Sequence, residues 1–341
     1  MLETIKALCA LHGVSGDEGP VRDYIKSRVA PYADDIATDA MGNLIVFKKG
    51  KKTPTKKVML CAHMDEVGVI VTGVTDDGYL KFESVGGIDR RVLIGKTVKV
   101  GKDDVLGVIG NMAYHLVKKD EREKIPALSD MYIDIGAGNK EDALTRVSPG
   151  DTGAFDSNFL EFGDDFLGAR ALDDRAGCAV LIKLIESELP VDCTFAFTVQ
   201  EEVGTRGAVV ASFRVMPDIA LIIESTTAAD LPSVPSSKKV CFVGKGAVIP
   251  FMDNAAIYNK ELYQALTSLA DKSNIPWQTK SYISGGTDAG AVQRSRGGVM
   301  TAGIAAPVRN LHSPSNVACL KDIEAVCRLA GLFLNEIGEK Y

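Results

Sequence analysis

Apolar residues recur at helical spacing near both ends of the chain and at strand spacing between them. Leu2, Ile5, Leu8, Cys9 and Leu11 trace one face of an N-terminal helix that Gly13 ends. Ser15-Gly-Asp-Glu18 opens a second helix, with Val21, Ile25 and Val29 inward and Pro31 closing it. Residues 43–47 and 57–62 read as strands. The second is nearly all apolar, as expected of a strand covered on both faces, and it delivers His63-Met-Asp65-Glu66 at its C-terminal end. From Gly68 the texture changes to short runs at 69–74, 79–84, 97–100, 105–111 and 151–155. Turn clusters such as Asp76-Asp-Gly78 part them, and one brief helix lies at 141–145. That is the pattern of a small β-barrel-like unit.

At Phe166 helices and strands alternate again. Helices are expected from Asp173 through Leu184, after Arg206, and at 260–269, 287–294 and 320–337. Strands are expected at 194–199, 219–223, 280–283 and 299–305. Alternation of this kind implies an α/β fold, a mostly parallel sheet with helices on both faces. The barrel-like insertion interrupts it. The expected division is a catalytic domain over 1–67 and 164–341, with a β-rich insertion over 68–163.

Composition narrows the function classes. Hydrophobic content of 46% and charged content of 25% are ordinary for a globular protein. A net charge of -6 with scattered lysines gives no footprint for nucleic acid or an anionic membrane. The basic run at 48–57 contains Gly50, Thr53 and Pro54 and reads as an exposed loop. No run approaches the roughly 18 apolar residues that span a bilayer, and the N-terminus lacks the apolar core of a signal peptide. Seven cysteines without C-x-x-C spacing, mostly in apolar runs, read as buried free thiols in a reducing compartment. A cytoplasmic location is expected.

Five places then put a metal-capable side chain at or just beyond a strand's C-terminal end: His63, Asp173, Glu201-Glu202, Glu224 and His312. Loops at one edge of a parallel sheet converge in space. Three carboxylates and two imidazoles suit two divalent cations of the zinc or cobalt type, one carboxylate bridging them. Glu201 and Glu202 are costly to desolvate side by side unless a cation or proton sits between them, which suggests one ligand and one general base. An isolated Glu-Glu pair would more often be a solvated surface turn. Asp65, two residues after His63 on extended chain, can accept the proton of the imidazole's other nitrogen. Asp173 and Asp174 start a helix; one acid serves as cap and the other is free for metal. Of the remaining histidines, His12 is read as structural, stabilised by the end of the first helix, and His115 as an interface residue. No G-x-S-x-G elbow is present, and Gly285-Gly-Thr-Asp-Ala-Gly290 has neither the phosphate-loop lysine nor dinucleotide spacing.

AHMDEVG (62–68), ALDDRAG (171–177), QEEVGTRGA (200–208), IIESTTAADLP (222–232), SGGTDAG (284–290) and VRNLHSPSN (308–316) occur in that order. In order and wording the chain resembles the glutamyl aminopeptidase and tetrahedral-aminopeptidase family, whose members were often labelled endoglucanases. The likeness extends to HGVSGDE (12–18), SDMYIDIGA (129–137) and VSPGD (147–151), so it covers essentially the whole chain. It implies a two-metal site in which His63 and Glu224 hold one ion, Glu202 and His312 the other, and Asp173 bridges. Glu201 matches the general base and Asp65 the partner of His63. Many members have Asp where this chain has Glu224. The resemblance also implies that the insertion dimerises and that dimers build a hollow tetrahedral dodecamer.

The expected reaction is removal of N-terminal residues from short peptides. Glu201 would take a proton from the attacking water and pass it to the leaving amine. A metal could also take the free α-amino group. Zinc, cobalt and manganese all suit the ligands. Two other readings stand beside this one: an N-acyl amino acid deacylase on the same ligands, and a catalytically silent peptide-binding scaffold. A glycosidase reading is weaker, because the paired acids keep the company of histidines and a third acid. A preference for acidic N-terminal residues would need a basic group in the pocket, for which Arg309 and Arg294 are the candidates.

Overall fold

The computed structural model describes all 341 residues. Two helices open the chain, α1 (Leu2–Ala10) and α2 (Gly19–Val29). Strands β1 (Asp35–Thr38), β2 (Leu44–Lys48) and β3 (Val58–His63) follow. The chain then leaves the sheet for β4 (Gly68–Val74), β5 (Leu80–Val85), β6 (Thr97–Val100), β7 (Val105–Asn111), β8 (Met131–Asp134), α3 (Lys140–Leu144) and β9 (Thr152–Phe155). It returns through β10 (Leu160–Phe162), β11 (Phe166–Ala169), α4 (Leu172–Ile185), β12 (Cys193–Thr198), α5 (Arg206–Val215) and β13 (Ile219–Thr227). The remainder comprises β14 (Ala247–Val248), α6 (Lys260–Lys272), β15 (Trp277–Gln278), α7 (Ala289–Gln293), β16 (Met300–Val308), β17 (Asn316–Cys319) and α8 (Leu320–Lys340).

The main sheet has eight strands in the order β1-β2-β12-β3-β13-β16-β14-β15. Its four middle strands, β12, β3, β13 and β16, run parallel. Their side chains alternate between two cores, as the two-residue period of a strand demands. Val58, Leu60 and Ala62 of β3 enter a large core filled from α1, α2, α4, α6 and α8, while Met59 and Cys61 enter a smaller one with Ala208 and Ala211 of α5 and Val292 of α7. Both faces are therefore covered, which is why β3 carries no exposed residue. The expectation of an α/β sheet with helices on both sides is met.

The insertion closes into a six-stranded antiparallel barrel, β4-β5-β8-β7-β6-β9, around Val69, Leu80, Phe82, Val98, Ile109, Ile133 and their neighbours. A third sheet, β10-β11-β17, lies where the chain re-enters. No helix is long and apolar enough to cross a membrane.

Several expected elements differ. Residues 280–283 form no strand; pairing is confined to β15, whose two residues run beside β14. β8 completes the barrel although its four residues were not anticipated as a strand. Ser15–Glu18 leads into α2 as expected, with Glu18 at the N-cap, while the Ser15 and Glu18 side chains bond to Asp65 and the Gln200 amide rather than capping the helix. The first helix ends at Ala10, so His12 does not owe its place to the helix end. Its Nε2 lies 2.9 Å from Thr152 Oγ1 of the barrel instead.

Candidate metal centre

The site begins where the sheet opens. β13 pairs with β3 only up to Ile222 opposite Cys61, although it continues beside β16 as far as Thr227. Beyond that point β3 and β13 part, and His63 and Glu224 face each other across the gap with His63 Nε2 3.0 Å from Glu224 Oε1. Glu224 thus lies inside β13 rather than in a loop after it. On the other side β12 stays paired with β3 through Thr198 opposite His63, so the turn that follows it sets Glu201 and Glu202 beside the same gap.

Asp173 joins the two halves. Its Oδ1 lies 3.4 Å from His63 Nε2, and its Oδ2 lies 3.6 Å from His312 Nε2. His312 Nε2 in turn stands 3.2 Å from Glu202 Oε2. One carboxylate therefore addresses two His–Glu pairs, one through each oxygen. Asp174 takes the other duty: its Oδ1 accepts from the Gly177 amide at 3.0 Å, starting the regular part of α4. A Cβ on Gly177 would fall 2.3 Å from Asp174 Oδ2, which accounts for that glycine. The Asp173–Asp174 peptide is cis.

The supports are hydrogen-bonded from all sides. Asp65 accepts from the Ser15 hydroxyl at 2.6 Å, the Glu201 amide at 2.9 Å and the Glu202 amide at 3.1 Å. His63 Nδ1 lies 3.1 Å from the Asp65 carbonyl and 3.4 Å from its carboxylate, so the main-chain oxygen makes the shorter contact. His312 Nδ1 is held by the Gly87 carbonyl of the barrel at 2.9 Å. Both contacts leave Nε2 of the imidazole for a ligand. Glu18 accepts from the Gln200 amide at 3.1 Å, and Glu66 sits between Arg170 and Arg175. Ala171, Gln200, Thr205 and His312 all have left-handed backbone conformations. Four such non-glycine residues around one cleft mark a site whose geometry the surroundings impose.

The electrostatics follow from burying acids together. Burial pushes the Glu201 carboxyl up to about 11, with His63 pulling against it and Glu224, Asp288 and Glu202 adding to it. Burial also raises Glu202 to about 8 and Glu224 to about 7, the histidines opposing in each case. The Asp173 contact lifts His312 to about 9. Burial would raise Asp173, but the nearby imidazoles of His312 and His63 outweigh it and hold that carboxyl down at about 2. Four buried carboxylate oxygens, on Asp173, Asp174, Glu224 and Asp288, have no hydrogen-bond partner. His63, Asp173 and Glu202 form one group whose ligand atoms lie within 4.8 Å of each other, and His63, Asp174 and Glu224 form another. Buried carboxylates are kept unpaired at a cost unless a cation completes them. The donor set fits divalent metal.

Every residue proposed from the sequence as a ligand or base borders this cleft or, like His63 and Asp65, lies buried beside it. Arg309 and Arg294 do not. Arg309 makes a two-pronged bond to Asp230, at 2.6 Å for each contact, and Arg294 donates to the Gly290 carbonyl. Sequence reasoning missed Ser15 and Glu18, and it missed Asp288, whose Oδ2 accepts from the Thr198 hydroxyl at 2.6 Å. The SGGTDAG stretch was the available signal for Asp288.

Two histidines and several acids around a gap in a parallel sheet make a candidate site for divalent metal. Residues 42–329 match the M42 glutamyl aminopeptidase family, and the chain belongs to that family. A relative in Acetivibrio thermocellus is 40% identical over 331 residues, spanning 96% of this chain and 97% of its own. A lysyl aminopeptidase of Pyrococcus furiosus is 33% identical, spanning 98% of this chain and 97% of its own. Among solved structures, a TET aminopeptidase from the marine sediment archaeon Thaumarchaeota archaeon SCGC AB-539-E09 superposes with a TM-score of 0.94 at 34% identity, covering 99% and 98% of the two chains. The TET1 peptidase of Pyrococcus horikoshii, which can assemble into a tetrahedron or a large octahedral shell, superposes with a TM-score of 0.85 at 36% identity, covering 97% and 98%.

Proposed function

We propose that the chain is a metal-dependent aminopeptidase acting on short peptides, with His63 and Glu224 holding one cation, Glu202 and His312 the other, and Asp173 bridging. The carrying observation is the Asp173 carboxylate, with one oxygen toward each imidazole. Two cations bound there would lower the pKa of a shared water and stabilise negative charge on the scissile carbonyl oxygen. Glu201 is the general base. It lines the cleft without a place in either His–carboxylate pair, where a carboxylate can take the proton of the attacking water and pass it to the leaving amine. Asp65 positions the site by holding the Glu201 and Glu202 amides while its own main chain orients His63. The longer Glu224, placed inside β13, still reaches His63.

Imidazole with carboxylate suits zinc or cobalt, and manganese is tolerated. Seven free cysteines, six of them buried, support a reducing cytoplasm. Residues 68–163 are read as the module that pairs subunits of a homo-oligomer, a dodecamer built from dimers. Leu106 and Val108 face outward from β7 and, with Met112, Tyr114 and Leu116, leave apolar surface exposed on the barrel.

The test is hydrolysis of aminoacyl chromogenic substrates with metal content measured in parallel. Glu201→Gln should keep two equivalents of metal and lose at least about a hundredfold in turnover, the scale of lost general acid–base catalysis. Asp173→Asn should lose metal. A Glu201→Gln protein with near-normal turnover would remove Glu201 from the reaction.

A further inference from the structure

The two strands that lead to the metal centre begin at a second hollow. Val58 of β3 and Cys193 of β12 border a pocket of about 450 Å³ at the N-terminal ends of those strands. His63 closes the same six-residue strand, about 17 Å from Val58 at ~3.3 Å per residue, so no small ligand spans both places. The pocket is an unfilled margin of the smaller core. Ile45 and Phe47, two apart on β2, share a face of the sheet, and Ile45 packs in that core with Ala208 and Ala211 of α5. Phe47 lines the pocket and stays half-buried, as does Val215 in the last turn of α5.

Charges of both signs surround this apolar floor. The lysine-rich loop over 49–57 forms one side, and Asp192 fixes it by accepting from the Gly50 amide at 2.8 Å and the Thr53 hydroxyl at 2.7 Å. Asp218 accepts from the Lys57 amide at 2.8 Å. With those acids engaged by the loop, the Lys57 amine and the Arg214 guanidinium are in no ion pair, and the Asp35 carboxylate accepts no hydrogen bond; all three residues line the pocket. Exposed charges are satisfied by water one at a time. Two cations and one acid around an apolar floor are a recognition pattern, and the hollow has the size of a small-ligand site.

We propose that this pocket binds a free α-amino acid with a large apolar side chain, at a site separate from the metal centre. Arg214 and Lys57 take the carboxylate, Asp35 takes the ammonium group, and the side chain covers Ile45, Phe47 and Val215. The first contacts are charge-assisted hydrogen bonds, and the last removes apolar surface from water. The assignment does not depend on the peptidase reading, although such amino acids are what an aminopeptidase releases.

Isothermal titration calorimetry of the metal-loaded protein with L-phenylalanine tests the site. The pocket should appear as a binding step that Arg214→Gln weakens roughly 10- to 100-fold, the range for a lost charge-assisted hydrogen bond, and that Arg214→Lys restores in part. L-Phenylalaninamide, which lacks the carboxylate, should bind the native protein more weakly by a similar factor. Asp35→Asn should weaken L-phenylalanine and leave phenylpropanoate, which has no amine, unmoved. Equal affinity of the native and Arg214→Gln proteins overturns the proposal. Phenylpropanoate bound as tightly as L-phenylalanine overturns the amino-acid assignment. The step should survive Asp173→Asn, and its loss from that protein while folded places the ligand at the metal centre instead. Crystals of the native protein soaked in p-bromo-L-phenylalanine locate the ligand without any substitution. Anomalous signal from bromine is expected between β2 and α5, and signal confined to the cleft over His312 refutes the pocket. A protein that cuts no aminoacyl substrate yet binds L-phenylalanine through Arg214 would discard the peptidase reading and keep this site.

Discussion

Replacing Asp65 by alanine separates two duties that the carboxylate and the main chain of that residue perform. Asp65 is fully buried, and its carboxylate is the acceptor for the Ser15 hydroxyl and for the amides of Glu201 and Glu202. Asp65→Ala strands three donors in the interior. Each buried donor left without a partner costs about 1–3 kcal/mol, and a water entering the small void recovers part of that. A net loss of about 3 kcal/mol is expected, a large share of the stability of an ordinary domain. His63 keeps its 3.1 Å contact to the Asp65 carbonyl, which the substitution does not remove. Metal affinity should therefore fall only about tenfold, the mild end of the range for an outer partner of a ligand. Glu201 loses the anchor of its own amide, so kcat should fall further than metal occupancy does. Urea denaturation, metal content by mass spectrometry and turnover of a preferred substrate measure the three effects. If Asp65→Ala is within about 0.5 kcal/mol of the native protein and turns over within twofold of it, the acceptor role is wrong. If it loses all metal while otherwise folded, the carboxylate rather than the carbonyl orients His63.

Chelation should make stability depend on pH in a stated direction. In the ion-free site the native pKa of His312 lies at about 9, above its ordinary 6.5, so its contribution is complete below 6.5 and is lost as pH rises through 9. Glu202, an acid raised from 4.5 to about 8, is protonated preferentially in the native state and so acts in the same sense, its contribution fading as pH rises through 8. The Tm of chelator-treated protein should thus drop by several degrees between pH 6 and pH 9. Metal-loaded protein should show a smaller slope, and equal slopes would count against the site. Gly207→Ala should destabilise by about 1–3 kcal/mol, because the new methyl group would meet Asn43 Oδ1 and the Val199 carbonyl, both at 2.3 Å. It should also cut turnover by displacing the turn that carries Glu201, and unchanged Tm and rate would refute the close approach.

Fold class was legible because the central strands are buried on both faces and helices such as α6 and α8 carry a clear apolar face. The 57–62 run could be read without a partner in view. β8 could not. Its four residues follow a stretch of turns from Met112 to Asp130, and only the barrel around it supplies its pairing with β5 and β7. The false strand at 280–283 has the opposite cause. The short run resembles a strand in isolation, but Ser281 is bound instead to the main chain at Lys239 and Val240.

The candidate ligands could be singled out for a different reason: chemistry at strand ends leaves a signal that survives without three dimensions. The supports leave almost none. Ser15 and Glu18 look like a helix start, and their engagement with Asp65 and the Gln200 amide depends on loops about 50 and 180 residues away in sequence. The position of Glu224 illustrates the limit. The apolar run ends at Ile223, so a strand is expected to end there, whereas β16 keeps β13 extended through Thr227. Because β3 stops pairing at Cys61 while β13 continues, Glu224 stands on rigid backbone and not on a mobile loop. That placement bears on the longer side chain at this position. A glutamate fixed to a strand has only its own rotamers to adjust, and the gap between β3 and β13 determines whether they suffice. The 3.0 Å contact shows that the carboxylate reaches the His63 imidazole. The His63–Glu224 pair is thus set by where two strands diverge, a property of the sheet that no single segment of the chain encodes.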